Sequence, residues 1–141
     1  IQNLVSNAIN YTPAMGKVEI VLEEKKGSVL FTVRDTGIGI PKKEQERIFK
    51  KFVRGSNALV MKPDGTGLGL YIVRETVNLL GGKIWFFSEG GFQPEDGQSL
   101  AGEESSGRAP PQDRWSTIFC VEFPLVLQAY AGEKGLVLET N

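Results

Sequence analysis

The chain has 141 residues, 40% of them hydrophobic and 23% charged, the proportions of one soluble globular domain with a modest core. Its 16 Lys and Arg against 17 Asp and Glu leave a net charge of -1, which excludes an electrostatic surface for coating nucleic acid or an anionic membrane. One cysteine, Cys120, excludes an internal disulfide, and zero histidines exclude Ser-His, Cys-His, His-metal and phosphohistidine chemistry within the chain.

Residues 1–11 read as a helix. At about 100° per residue, Ile1, Leu4, Val5, Ala8 and Ile9 gather on one side, Gln2, Asn3, Ser6, Asn7 and Asn10 on the other, and Pro13 stops the run. IQNLVSNAIN does not resemble a secretory leader, and its first residue lies mid-pattern without an N-cap, so the chain reads as cut into an existing helix. Residues 17–24 and 28–35 alternate as strands around the turn Lys25-Lys26-Gly27-Ser28. Val29, Phe31 and Val33 share one face, and Asp35 continues their parity, so a carboxylate is delivered to the apolar side at the strand's end. Pro41 begins a short helical segment whose apolar positions are Ile48, Phe49 and Phe52, followed by a polar, glycine-bearing stretch at 54–66. A second amphipathic helix spans 67–80 and ends at Gly81-Gly82. Strands at 83–88 and 116–124 bracket residues 89–114, which hold six acids and two bases. That stretch is net -4 and the remainder +3. It reads as a long surface loop, and 128–141 as a C-terminal tail. No apolar run reaches the roughly 20 residues of a bilayer span. The order of elements implies an α/β (α+β) two-layer sandwich, with a mixed, mostly antiparallel sheet packed on about three helices.

Three patterns carry chemistry. Asn3, Asn7 and Asn10 stand in one row at i, i+4 and i+7, although Asn is a mediocre helix-interior residue. A neutral carboxamide oxygen suits a Mg²⁺ that keeps water and phosphate as its other ligands. In Asp35-Thr36-Gly37-Ile38-Gly39-Ile40-Pro41, the carboxylate can accept a hydrogen bond from an exocyclic amine such as adenine's, and the glycines allow close backbone approach. Gly65-Thr66-Gly67-Leu68-Gly69-Leu70 opens a helix whose N-terminal amides favour phosphate, without the Gly-Lys-Ser/Thr of a Walker loop. Each alone also fits a bland role: a polar helix face, an Asx turn, or a glycine-bearing helix start.

Together, NLVSNAINYTP, DTGIGIP, IFKKFVRG and GTGLGLYIV resemble, in order and spacing, the N, G1, F and G2 boxes of the sensor histidine kinase ATP-binding domain, in the gyrase, heat-shock chaperone, histidine kinase and MutL superfamily. The resemblance implies residues 1–127 as the catalytic domain, with an ATP lid at 54–66, and ATP and Mg²⁺ as cofactors. It makes Asn7 the metal ligand and Tyr11 the aromatic against the base. Asp35 reads the adenine amine, with Gly37, Gly39 and Ile40 around it. Phe49 and Phe52 become the pair that anchors the lid, and Arg54 and Lys62 lid cations facing phosphate. Gly65, Thr66, Gly67, Leu68 and Gly69 become the phosphate-side helix start, with Asn10 beside them. Two departures stand out. Many relatives carry Lys where this chain has Asn10. The family's first strand and the opening of its first helix have no counterpart ahead of Ile1, which implies exposed sheet edge and apolar surface.

Asn3 matches the place where gyrase-type hydrolases carry a water-activating glutamate. An amide has no basic carboxylate, so the resemblance implies transfer rather than hydrolysis, with Asn3 and Arg54 nearest the chemistry. The expected acceptor is a histidine on a separate dimerisation hairpin, followed by a response-regulator aspartate. No contact with nucleic acid or membrane is expected of the domain. It is expected to work in the cytoplasm, whether or not a longer protein is membrane-anchored. A hydrolytic ATPase and a non-catalytic nucleotide-binding module remain the alternatives.

Overall fold

The computed structural model describes residues 1–89, 115–125, 130–131 and 136–137. The acidic stretch beyond Glu89 therefore lies outside the described residues. The elements are α1 (Gln2–Asn10), β1 (Val18–Lys25), β2 (Ser28–Asp35), a 3₁₀ segment (Lys42–Arg47), α2 (Ser56–Met61), α3 (Gly69–Leu79), β3 (Lys83–Ser88) and β4 (Thr117–Pro124). Within the tail, β5 (Tyr130–Ala131) pairs antiparallel with β6 (Leu136–Val137).

The main sheet has the order β1-β2-β4-β3. Every pairing among the described strands is antiparallel, which corrects the mixed sheet expected from the sequence. The helical crossover does leave β2 and β3 running the same way, but β4 inserts between them, so no parallel pair forms.

The period-2 and period-3.6 patterns meet in one core. Leu4 and Ala8 of α1 and Val73 and Val77 of α3 lie on Phe31 and Val33 of β2, Phe119 and Val121 of β4, and Ile48. Only odd-numbered residues of β2 face the helices, so Asp35, at the same parity, is drawn under the helix layer and is 6% exposed. Helix α3 ends in a Schellman arrangement, with Gly82 N–H donating to the Val77 carbonyl (2.9 Å) and Gly81 N–H to that of Asn78 (3.0 Å). On β1 the helix-side residues Ile20 and Leu22, opposite Val33 and Phe31, remain 51% and 69% exposed. Ile1, the N-cap of α1, and Ile9 within it are exposed too.

The stretch read as an irregular polar lid contains α2. Six residues are too few to sustain a helix alone. Its first amide, Ser56 N–H, donates to both carboxylate oxygens of Glu44 (3.2 and 3.0 Å), so the cap comes from twelve residues upstream. Cys120 is buried on β4 as a free thiol, and Trp115 lies under Lys17 Nζ (5.3 Å to the ring centroid). Among the described residues no helix is long and apolar enough to cross a membrane.

Candidate functional site

A cavity of about 280 Å³ opens between α1, the loop after β2, the lid and the start of α3. Of the residues singled out in the sequence, Asn7, Asn10, Tyr11, Asp35, Gly39, Ile40, Arg54, Lys62, Gly65, Thr66, Gly67 and Gly69 line it. Asn3, Gly37 and Leu68 do not.

The loop 36–41 is pinned from four sides. Ile38 N–H donates to the Tyr11 carbonyl (3.0 Å), and Ile40 N–H to Ser88 Oγ (2.9 Å). Gln45 Nε2 donates to the Ile40 and Ser88 carbonyls (2.9 and 3.1 Å). Asn57 Nδ2, from α2, donates to the carbonyls of Ile38 and Gly39 (3.2 and 3.0 Å). At Gly37 a side chain has no room, since a Cβ would fall 2.4 Å from the Tyr11 carbonyl oxygen and 2.7 Å from Asp35 Oδ1. Gly37 N–H donates to that same Oδ1 (2.9 Å). Desolvation by burial pushes the Asp35 carboxyl up from 3.8 to about 6, against the pull of the Gly37 N–H. A carboxylate at a cavity wall with one oxygen already occupied is a single, directional acceptor.

The lid differs from expectation in three places. Phe49 is half-buried and meets Phe86 and Phe119 edge-on, with centroids 5.9 and 6.4 Å apart. Phe52 is 74% exposed with φ 61°, so its ring anchors nothing. Its backbone does the anchoring, with Phe52 N–H donating to the Gly67 carbonyl (3.0 Å). Gly67 has φ 67° and lies so near that a Cβ would meet the Phe52 carbonyl carbon at 2.8 Å. Phe49→Ala is therefore expected to cost about 2–4 kcal/mol in thermal or denaturant unfolding. Phe52→Ala should stay within about 0.5 kcal/mol of the parent; equal losses would contradict this division of labour.

Second, Arg54 lines the cavity, but its guanidinium donates to the lid carbonyls of Lys62, Pro63 and Ala58. In this arrangement it braces the lid from within the cavity wall. The cation that reaches across the cavity is Lys62, whose Nζ donates to Asn10 Oδ1 (2.8 Å). Third, Asn3 Nδ2 donates to the Gly69 carbonyl (3.2 Å), so this amide ties α1 to the first turn of α3.

The residues missed by sequence reasoning are Asn57, 3% exposed, and Thr117, 4% exposed, both in the cavity wall. Neither belongs to a motif; Asn57 sits in a helix that local pattern does not reveal. No side chain caps α3, and Thr66 Oγ1 accepts only from Leu68 N–H (3.3 Å). The Asn7 carboxamide makes no hydrogen bond among the described residues, which also contain no cluster of three or more His, Cys, Asp or Glu able to hold a metal ion.

A family model described as histidine kinase-, DNA gyrase B- and HSP90-like ATPase matches residues 1–127. The chain is 44% identical over 87 residues to the sensor histidine kinase WalK of Bacillus subtilis (strain 168), covering 60% of this chain and 14% of that protein. It is 40% identical over 94 residues to the signal transduction histidine-protein kinase BarA of Escherichia coli (strain K12), covering 63% and 10%. The chain thus spans a small fraction of these relatives' length. Among solved structures, the mycobacterial sensor histidine kinase MprB matches with a TM-score of 0.63 at 25% identity, over 86% of this chain and 67% of that one. Full-length ShkA in complex with AMPPNP matches with a TM-score of 0.59 at 28% identity, over 86% of this chain and 20% of that one.

Proposed function

The chain belongs to the family of histidine kinase-, DNA gyrase B- and HSP90-like ATPases, and from that membership we propose that it is the ATP-binding catalytic domain of a sensor histidine kinase, passing the ATP γ-phosphoryl group to a histidine on a separate dimerisation hairpin. The observation that carries this reading is one cavity lined both by Asp35, a buried carboxylate, and by Asn7, with one Asp35 oxygen and the Asn7 carboxamide left without a partner among the described residues. Asp35 accepts from the adenine amine, and Tyr11 flanks the base. The phosphates lie at the uncapped start of α3, an eleven-residue helix whose free amides and dipole favour anions.

Lys62 supplies the phosphate cation that Asn10 lacks. In the present arrangement the Asn10 amide holds that ammonium over the cavity. Lys62→Ala is expected to weaken ATP about tenfold while changing adenosine affinity less than threefold, as calorimetry would show. An equal loss for both ligands would assign Lys62 elsewhere.

The donor set fits Mg²⁺ only if the ion arrives with the nucleotide, because Asn7 offers a single neutral oxygen and, among the described residues, no acidic cluster accompanies it. When bound, Mg²⁺ neutralises phosphate charge. The protein's own part is positioning. Asp35 and the pinned loop fix the base, α3 and Lys62 hold the phosphates, and Asn3 holds the first turn of α3 in register. The bond from γ-phosphorus to its bridging oxygen breaks as one forms to an imidazole nitrogen, with ADP leaving. Asn3 cannot take a proton from water, which disfavours the hydrolytic alternative. With no histidine in the chain, the acceptor is another domain, and a response-regulator aspartate is the next acceptor. Dependence on ATP puts the domain in the cytoplasm.

Mixing the chain with radiolabelled ATP, Mg²⁺ and a histidine-bearing hairpin tests this. Acid-labile label on the hairpin and none on the chain is expected. Steady phosphate release without label on the hairpin would instead mark a hydrolase, and binding without either a nucleotide-binding module.

A further inference from the structure

Asn57 is the one buried polar side chain of residues 54–66. Its hydrogen-bonding capacity is divided between two elements. Nδ2 donates to the carbonyls of Ile38 and Gly39 in the loop beside Asp35, and Oδ1 accepts from Ala58 N–H (2.9 Å) within α2. Ile38, Gly39, Asn57 and Ala58 all line the cavity. The same short helix ends at Lys62, whose ammonium reaches Asn10 on the far wall. Glu44 holds the helix's first amide and Asn57 ties its next residue to the loop, so a turn and a half of helix joins the loop beside Asp35 to Lys62.

We infer that Asn57 is a positioning residue that couples the base end of the cavity to the lid, so that occupancy beside Asp35 sets where Lys62 stands over the phosphates. This rests on the nucleotide reading above and adds to it an energetic link between two parts of one ligand. The alternative is a side chain that merely satisfies two buried carbonyls. The two differ in what a ligand without phosphates does to the lid. If the carboxamide only fills a polar gap, adenosine leaves the lid unaffected; if it couples, adenosine quiets the lid without touching Lys62.

The test uses the whole chain, with adenosine and Mg-ATP as probes. Hydrogen exchange of amides 59–66 in the unmutated protein is expected to slow about tenfold on saturation with adenosine. In Asn57→Ala that slowing should vanish, and the ratio of ATP to adenosine affinity should fall about tenfold. Unchanged lid exchange with adenosine bound overturns the coupling, as does an Asn57→Ala variant that weakens both ligands by one factor. Should the variant fail to fold, the exchange experiment on the unmutated chain decides alone. Failure of that chain to bind either probe would remove the nucleotide reading and this inference together. Binding of both with an indifferent lid removes only the coupling.

Discussion

Asp35→Asn is expected to weaken ATP binding about 5-fold to 150-fold and, at pH 8, to make the free protein more stable. The loss follows from counting donors. Asp35 faces two N–H groups, that of Gly37 on Oδ1 and, with nucleotide bound, the adenine amine. A carboxylate accepts both, whereas a carboxamide has one acceptor oxygen and turns its NH₂ toward the other donor whichever way it flips. An unmet buried donor costs about 1–3 kcal/mol, the range just given. The gain in stability has a separate cause. Burial raises the carboxyl to about 6 from 3.8, so the fold favours the protonated acid by about 3 kcal/mol, and ionisation at pH 8 opposes folding by that amount. Asn removes the opposition, stabilising by about 1–3 kcal/mol. The sign is fixed by linkage. The folded state binds more protons between pH 4 and 6, so the parent gains stability as pH falls through that window and the variant does not. Protonation of Asp35 replaces one acceptor site by an O–H donor, so ATP affinity of the parent should fall as pH drops below about 6. Calorimetric titration and thermal melts at pH 5 and pH 8 check both halves; a destabilised variant, or one that binds ATP normally, would refute the assignment.

Asn7→Ala should leave the fold intact and reduce phosphoryl transfer about 100-fold or more. Asn7 is on a helix, has no hydrogen bond among the described residues to lose, and Ala is the better helix former by about 0.5 kcal/mol. Stability therefore stays level or rises slightly. What disappears is the proposed Mg²⁺ ligand, with an expected cost of several kcal/mol in the charged transition state. The sharpest readout is the metal dependence of binding. In the parent Mg²⁺ strengthens ATP binding, and in the variant affinities with Mg²⁺ and with a chelator should converge. A variant that keeps the full Mg²⁺ increment would show that Asn7 is not the ligand.

The fold was legible wherever a pattern is local and repeated. The stripes of residues 1–11 and 67–80, the alternation of β2 and the parity of Asp35 predict the elements and the buried carboxylate because period and burial are one physical fact. What stayed hidden depends on partners distant in sequence. Helix α2 exists because Glu44 caps it, and nothing within Ser56–Met61 announces that. The sequence marks Phe52 as apolar, yet a left-handed backbone turns its ring to solvent. Arg54 reads as a phosphate cation by position, and the sequence does not show that carbonyls of its own lid hold its guanidinium in this structure. Asn57 belongs to no motif, and its importance arises only where the loop after β2 and the lid converge. The strand order was likewise invisible, since β4 arrives between β2 and β3 from across the acidic stretch.

Ala8, Ile48 and Phe119 belong at once to the hydrophobic core and to the cavity wall. A nucleotide bound there would pack against the core itself and so act as packing material as well as substrate. A ligand at a hundred times its dissociation constant stabilises the native state by about 2.7 kcal/mol, a sizeable share of what holds a small domain together. Nucleotide should therefore raise the unfolding temperature of the domain as well as serve its chemistry, by an amount that grows with the logarithm of its concentration.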